Sequence, residues 1–365
     1  MSALKTGIIT FHFVNNYGGA LQAYALRRYV SEHFCPDTEL IDYRHWFIRM
    51  TDAVRMAPIT PNVRAYGPWL RSFGKMRGRR RKFADFMKRR GNLSPRIDRG
   101  SQFKRIDGRY GLMICGSDQI WNPMLTCGLA KPYFLAFPMS GCRRISYAAS
   151  VGGNVRNREK MLACVRGLDA VSIREETDWL EGAEGLGKVE RHIDPTLLLT
   201  PEEWNEIAVA PEGQEKYILT YFMQRNEGAY AIVEQIKRAT GCKVYDISRY
   251  GYRPDCVDRC MVDVGPEEFV GLFANAQHVC TNSFHGLIFS LIFNKTVDYI
   301  PISRFGGRIE YLCRLLRLKK TPVQGGACYH IEYDPAQKDA ILEVERQKTR
   351  SYLEKEVELA HDSDR

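Results

Sequence analysis

The chain has 365 residues, more than one hydrophobic core usually serves, so two domains are expected. Its 44% hydrophobic and 26% charged residues are those of an ordinary globular protein, which argues against intrinsic disorder. No apolar run nears the ~20 residues that cross a bilayer, the longest candidate being 286–293. The formal net charge of +10 favours an anionic partner: a phosphorylated substrate, a nucleic acid or an anionic membrane surface.

In chain order, a strand is expected over 7–13, leaving no room for a signal peptide, so a cytoplasmic protein is expected. A helix follows over 19–34, its apolar Leu21, Tyr24, Ala25 and Val30 falling on a helical period. A second strand is read at 39–43. The stretch 44–109 is basic and punctuated by Pro and Gly, and reads as an irregular insertion with short helices. Half of residues 71–90 are Lys or Arg, with Asp85 the only acid; a solvated helix face is the plain reading of that run. Strands resume at 112–115, 145–149 and 170–173, an alternation that belongs to a parallel sheet with helices on both faces.

The prolines of Asp194-Pro195-Thr196 and Thr200-Pro201 mark a domain boundary. A second series follows: strand 217–222, helix 227–240, strand 243–247, helix 266–276, strand 278–280, helix 284–293, strand 297–300 and helix 308–318. The domains are therefore set at 1–200 (N-terminal, with the insertion 44–109), 201–334 (C-terminal) and a charged helix over 335–365. The eleven cysteines are scattered singly, and the close pair Cys256 and Cys260 fits neither a zinc knuckle nor a redox C-x-x-C. Reduced, mostly buried thiols are expected, with no metal cluster and no cofactor.

In such sheets, ligands bind beyond the carboxyl ends of the strands. Four polar segments fall there. Asn15-Asn16-Tyr17-Gly18-Gly19 lets backbone N–H groups approach an anion or a sugar, though it reads equally as a plain strand-to-helix turn. Gly116-Ser117-Asp118-Gln119-Ile120-Trp121-Asn122 combines hydroxyl partners with a flat ring, the composition of a sugar site. Asp118 could act there as general base or as a helix cap. Arg174, just past a strand, could clamp a carboxylate or phosphate or simply pair with Glu175 or Glu176. In Thr281-Asn282-Ser283-Phe284-His285-Gly286, Ser283 sits at an N-cap position and His285 in the first turn. That is a phosphate seat with a proton donor, or a capped helix with a structural histidine.

Together with 13–23, 171–176, Asp-Pro-Thr-Leu-Leu-Leu at 194–199, 282–290 and Gly-Arg-Ile-Glu-Tyr-Leu at 307–312, these segments resemble the polysaccharide pyruvyl transferases in order and in kind. The resemblance implies an α/β fold of two facing Rossmann-like domains, GT-B-like, with an interdomain cleft and a helical C-terminal tail. It implies transfer of the enolpyruvyl part of phosphoenolpyruvate to a cell-surface or exopolysaccharide glycan, free or lipid-linked, closing a pyruvate ketal. His285 and Asp118 would then be catalytic. Arg174, Ser283, Phe284, Arg304 and Arg308 would bind the donor, and Asn15, Asn16, Gly18, Gly19, Trp121 and Asn122 the acceptor. Many members carry an arginine two residues before the histidine; here that position is Ser283. The helix N-terminus with Arg304 or Arg308 would have to supply the missing charge.

Three other readings stand beside this one. A GT-B-like glycosyltransferase would use a nucleotide-sugar donor, for which no acidic residue dedicated to a ribose is evident. A sugar-binding protein without catalysis would share the polar segments. A nucleic-acid binder would use 71–90, but that run lacks any zinc, helix-turn-helix or RNP signature, so nucleic acid is not expected as a partner. The same run suits peripheral contact with the anionic inner face of a membrane.

Overall fold

The computed structural model describes residues 4–54, 66–153, 157–213, 215–224, 227–301, 306–323 and 328–363. The chain forms two compact units. Residues 1–52, 87–199 and 340–365 make the first, and 53–86 with 200–339 the second. Segment 53–86, assigned from the sequence to an N-terminal insertion, thus clusters with the second unit, and most of the C-terminal helix with the first.

The first unit starts with β1 (Thr6–Ile9), α1 (Tyr17–His33), β2 (Thr38–Leu40) and α2 (Trp46–Val54). After α3 (Tyr66–Arg90) come β3 (Leu112–Cys115), α4 (Pro123–Thr126), β4 (Arg143–Ser146), α5 (Arg158–Val165), β5 (Val171–Ile173) and β6 (Val189–Arg191). Its sheet runs β2-β1-β3-β4 with every pair parallel, and bridges from Ile145 to Ala170 and Ala149 to Ile173 join β4 to the parallel pair β5–β6. β1 and β3 are buried along their whole length, so they read as continuous apolar runs rather than alternating ones.

The second unit holds α6 (Pro201–Asn205), β7 (Tyr217–Tyr221), α7 (Glu227–Thr240), β8 (Lys243–Ile247), β9 (Arg259–Met261), α8 (Pro266–Asn275), β10 (His278–Thr281), α9 (Phe284–Ile292), β11 (Thr296–Tyr299) and α10 (Gly306–Leu315). After β12 (Lys319–Val323) and β13 (Cys328–Glu332), α11 (Pro335–Ser363) closes the chain. The sheet order is β12-β13-β11-β10-β7-β8-β9, parallel from β11 to β9, with β13 and β12 added antiparallel. One face packs on α7 through Ile218, Val233, Val244 and Cys280. Residues one step along each strand point to the other face, where Tyr221 meets Phe269 of α8 edge-on and Phe289 of α9 joins Phe269 and Trp204.

The stretch 44–109 is corrected by the structure. It contains the 25-residue helix α3, hidden in the sequence by Gly67, Pro68, Gly74, Gly78 and the basic run. Ser72, Met76, Arg79, Phe83, Phe86 and Met87 form its buried stripe at helical spacing, while Arg71, Lys75, Arg77, Arg80 and Arg81 are exposed. Within the second unit Lys82 pairs with Glu268 of α8 at 2.5 Å. In the first unit the last turns of α11 are fastened by Tyr352, which donates to the Ser146 carbonyl, and by Arg143 on the buried Glu356. All eleven cysteines are free and most are buried. No helix among the described residues is long and apolar enough to cross a membrane.

Candidate functional site

In the first unit, the polar loops at the carboxyl ends of β1, β3, β4 and β5 converge. Thr10 donates to the Ser117 carbonyl at 3.0 Å, tying the loop after β1 to that after β3. Gln22 of α1 donates to Thr10 Oγ1 and to the Phe11 and Gly19 carbonyls, which fixes the first turn of α1. Asn16 is the N-cap, accepting from Gly19 N, and Asn15 donates from Nδ2 to Asp52 of α2. Gly19 packs closely: a Cβ there would lie 3.3 Å from the Phe11 carbonyl and 3.7 Å from Asp118 Oδ2. The Asp118 carboxylate therefore lies beside the first turn of α1.

Asp118 itself is left-handed, with φ +64°, a conformation Asp tolerates better than most residues. Gly116 before it has φ +127°, and a Cβ would strike the Tyr147 carbonyl. The Asp118 carbonyl accepts from Ile120 N and Ser150 N, and Oδ1 accepts from Gln119 N at 2.8 Å. It caps no helix; Asn122 does that for α4, accepting from Met124 N, with its own amide on Gln119. Trp121 is 1% exposed, stacks on Phe134 at 5.1 Å and donates its indole N–H to the Tyr133 carbonyl. The flat ring read from the sequence as a sugar platform is a core side chain.

Arg174 was read either as a donor clamp or as an ion-pair partner of Glu175 or Glu176. It is 3% exposed, and its guanidinium is enclosed by three carboxylates: Asp194 at 2.5 Å, Glu175 at 3.6 Å and Asp118 at 3.9 Å. Burial alone would lower its pKa, but Asp194, Glu175 and Asp118 outweigh that and raise it. The carboxylates are themselves held. Asp194 Oδ1 accepts from Thr196 N and Oγ1, and Glu175 Oε1 accepts from Ser150 Oγ and the Val151 and Gly152 amides. Glu176 pairs instead with Arg191. The fork that was expected to clamp a donor is occupied by Asp194 and set beside Asp118. Asp194 was missed by the sequence reading, although the Asp-Pro-Thr turn that orients it was in plain view.

His12 was missed too. It is 1% exposed, with Nε2 3.1 Å from Asp42 Oδ1 and Nδ1 3.1 Å from the Thr10 carbonyl, and Arg44 forks onto the same Asp42. Burial would raise the Asp42 pKa, but hydrogen bonds from His12 and Arg44 bring it down to about 2.

In the second unit the start of α9 gathers another set. Ser283 is its N-cap, accepting from Gly286 N, and Thr281 Oγ1 accepts from Ser283 N while donating to the Tyr221 carbonyl. Asn282 latches the loop after β7, accepting from Met223 N and donating to the Gln224 carbonyl. His285 is 8% exposed and lies edge-on to Phe284, over whose ring the Arg308 guanidinium sits at 5.1 Å. Arg304 lies outside the described residues.

Two further arginines belong here and were not foreseen. Burial pushes the Tyr221 hydroxyl up to about 12, while Arg79, Arg249 and a hydrogen bond with Ser283 oppose the rise. Arg79, from α3, is 8% exposed; its Nη1 reaches only the Ser248 carbonyl at 3.5 Å, and its buried Nε has no hydrogen-bond partner among the described residues. Buried arginines are ordinarily paired with carboxylates. Arg79 forms no such pair among the described residues. Its charge acts on the Tyr221 hydroxyl, which is hydrogen-bonded with Ser283, the N-cap of α9, a position that itself brings no charge.

The family model for polysaccharide pyruvyl transferase matches residues 16–297. The chain belongs to the polysaccharide pyruvyl transferase family. The match takes in Asp118, Arg174, Ser283 and His285, and it makes the chain one of a family of transferases. Comparison with curated protein sequences gave no match. Among solved structures, the chain is similar to a Listeria monocytogenes protein assigned as a UDP-N-acetylglucosamine 2-epimerase (10% identity, 81% of this chain and 79% of that one, TM-score 0.47). It is also similar to Arabidopsis thaliana UGT89C1 complexed with UDP-L-rhamnose (11% identity, 96% and 94%, TM-score 0.44). A third is the Streptomyces sp. SF2575 glycosyltransferase SsfS6, complexed with thymidine diphosphate (10% identity, 96% and 99%, TM-score 0.43).

Proposed function

We propose that this family member transfers the enolpyruvyl part of phosphoenolpyruvate to two hydroxyls of one sugar, closing a pyruvate ketal on a glycan. The observation that carries the reading is Arg79, a nearly buried guanidinium without a carboxylate partner among the described residues, whose charge acts on Tyr221, itself hydrogen-bonded with the α9 N-cap Ser283. A small polyanion such as phosphoenolpyruvate supplies the missing countercharge. Arg79, Arg249, Ser283 and the N-terminal amides of α9 would hold its phosphate and carboxylate, with Arg308 and Phe284 beside them. His285 would deliver a proton to the vinyl carbon, turning the methylene into a methyl and leaving an oxocarbenium-like centre. A sugar hydroxyl then adds, losing its proton to Asp118. The C–O bond to phosphate breaks, and the second hydroxyl closes the ring, its proton returning to His285, as inorganic phosphate departs. Asn15, Asn16 and the backbone at Gly18 and Gly19 would contact the acceptor, and Arg174 would act by holding Asp118. The test is release of inorganic phosphate from phosphoenolpyruvate that depends on added glycan. Consumption of a nucleotide sugar instead, with phosphoenolpyruvate untouched, would favour the glycosyltransferase reading.

A peripheral contact with anionic lipid at the inner membrane face is proposed for the exposed side of α3. Its first turns carry exposed Tyr66, Leu70 and Phe73, followed by exposed Arg71, Lys75, Arg77, Arg80 and Arg81. Apolar side chains beside a basic face are what an interfacial helix presents to a membrane.

A further inference from the structure

The sheet of the second unit carries a group of metal-ligating side chains outside the segments described above. On β10, His278 and Cys280 are two residues apart and so share a face. Cys280 stands opposite Asp298 of β11, and Asp298 opposite His330 of β13. One imidazole nitrogen of His278, the Cys280 sulfur and one Asp298 oxygen all lie within 4.8 Å of one another. His278 Nε2 is 2.8 Å from Asp298 Oδ2, and His330 Nδ1 is 2.9 Å from Asp298 Oδ1.

We infer that His278, Cys280 and Asp298 form a binding site for a zinc-class divalent cation. The donor set is imidazole, thiolate and carboxylate, the mixture that suits Zn2+ rather than Mg2+ or Ca2+. A tetrahedral ion with bonds of 2.0–2.3 Å needs its ligands about 3.4–3.7 Å apart. The three atoms start within 4.8 Å of one another, in a group already gathered by strand register. His330 takes one Asp298 oxygen and leaves the other turned toward His278, the usual way a carboxylate ligand is oriented from outside. Asp246, in the same transverse row, differs: it is satisfied by Thr220 and Tyr230. Three protein ligands leave a fourth position for water. Binding replaces the Cys280 thiol proton, which passes to solvent. Spacing along the sequence could not show this site, because its ligands come from separate strands.

Cobalt(II) tests it, because thiolate ligation gives a charge-transfer absorption that oxygen and nitrogen ligands do not. Chelator-treated full-length protein is titrated with Co2+ and then with Zn2+. One equivalent of Co2+ should produce the thiolate band, and Zn2+ should remove it. Cys280→Ser should lose the band, His278→Asn should weaken Co2+ binding at least tenfold, and Cys127→Ser should change nothing. Absence of the thiolate band in the parent protein overturns the inference without recourse to any variant. So does a band that survives Cys280→Ser.

Discussion

Replacing Arg174 by Met keeps the stem and removes the guanidinium from among three carboxylates. Asp194, Glu175 and Asp118, now 2.5, 3.6 and 3.9 Å from it, would face one another with no cation between them. Removing one partner of a buried ion pair costs about 3–5 kcal/mol, a large part of the roughly 5–15 kcal/mol that holds a domain folded. Urea unfolding followed by circular dichroism should show a loss of that order. Arg174→Lys retains the charge without the planar fork and should fall between parent and Met variant. Donor affinity of the Lys variant should stay within about threefold of the parent, because the guanidinium serves Asp194 and Asp118; turnover should fall, because Asp118 loses its support. A stability loss below about 1 kcal/mol in Arg174→Met, together with donor affinity collapsing in Arg174→Lys, would refute this reasoning and restore Arg174 as a ligand clamp.

Three other outcomes are expected. His285→Ala should lower turnover by about 10²–10⁴-fold in a folded protein, and near-normal turnover removes the histidine from the chemistry. Asp42 has a folded pKa depressed to about 2, so its stabilisation is full above the usual carboxylate range and is lost as pH falls toward 2. Asp42→Asn should therefore be less stable than the parent by about 2 kcal/mol at pH 6 and by clearly less at pH 3, and a gap that does not shrink counts against the His12–Asp42–Arg44 account. Co-sedimentation with anionic vesicles at low salt should fade as salt rises and disappear when Arg77, Arg80, Arg81 and Lys75 become Gln; no sedimentation at low salt returns α3 to a solvated helix.

What the sequence made legible was local. Strand β3 lies at 112–115 as read, because four buried apolar residues between polar flanks leave little choice. The junction at Ser283 and His285 was readable because a strand, a cap and an apolar, almost wholly buried helix follow one another within a few residues. The α/β alternation with parallel strands followed from the same kind of signal. The edge strand β12 and its neighbour β13 were not seen, since Lys319, Lys320, Thr321 and Pro322 make a poor strand pattern that only pairing with β13 sustains. Helix α3 was masked by glycines whose cost its buried stripe offsets. Side-chain direction was the larger gap. Trp121 and Arg174 have the composition of ligand contacts, yet their surroundings turn one into core and the other into the centre of an ion cluster. Arg79 acts on Tyr221 from a distant helix, and His278, Cys280 and Asp298 meet only through strand register. No window along the chain contains those meetings.

The central claim is that Arg79 and the start of α9 hold phosphoenolpyruvate. Calorimetric titration of phosphoenolpyruvate into the parent protein and into Arg79→Met, with a nucleotide sugar in parallel, tests it most directly. Saturable binding of one phosphoenolpyruvate per chain is predicted, weakened by about 10–100-fold in Arg79→Met, the range for a charge-assisted hydrogen bond, with no comparable uptake of the nucleotide sugar. Phosphoenolpyruvate affinity unchanged in folded Arg79→Met, or binding of the nucleotide sugar alone, would contradict it.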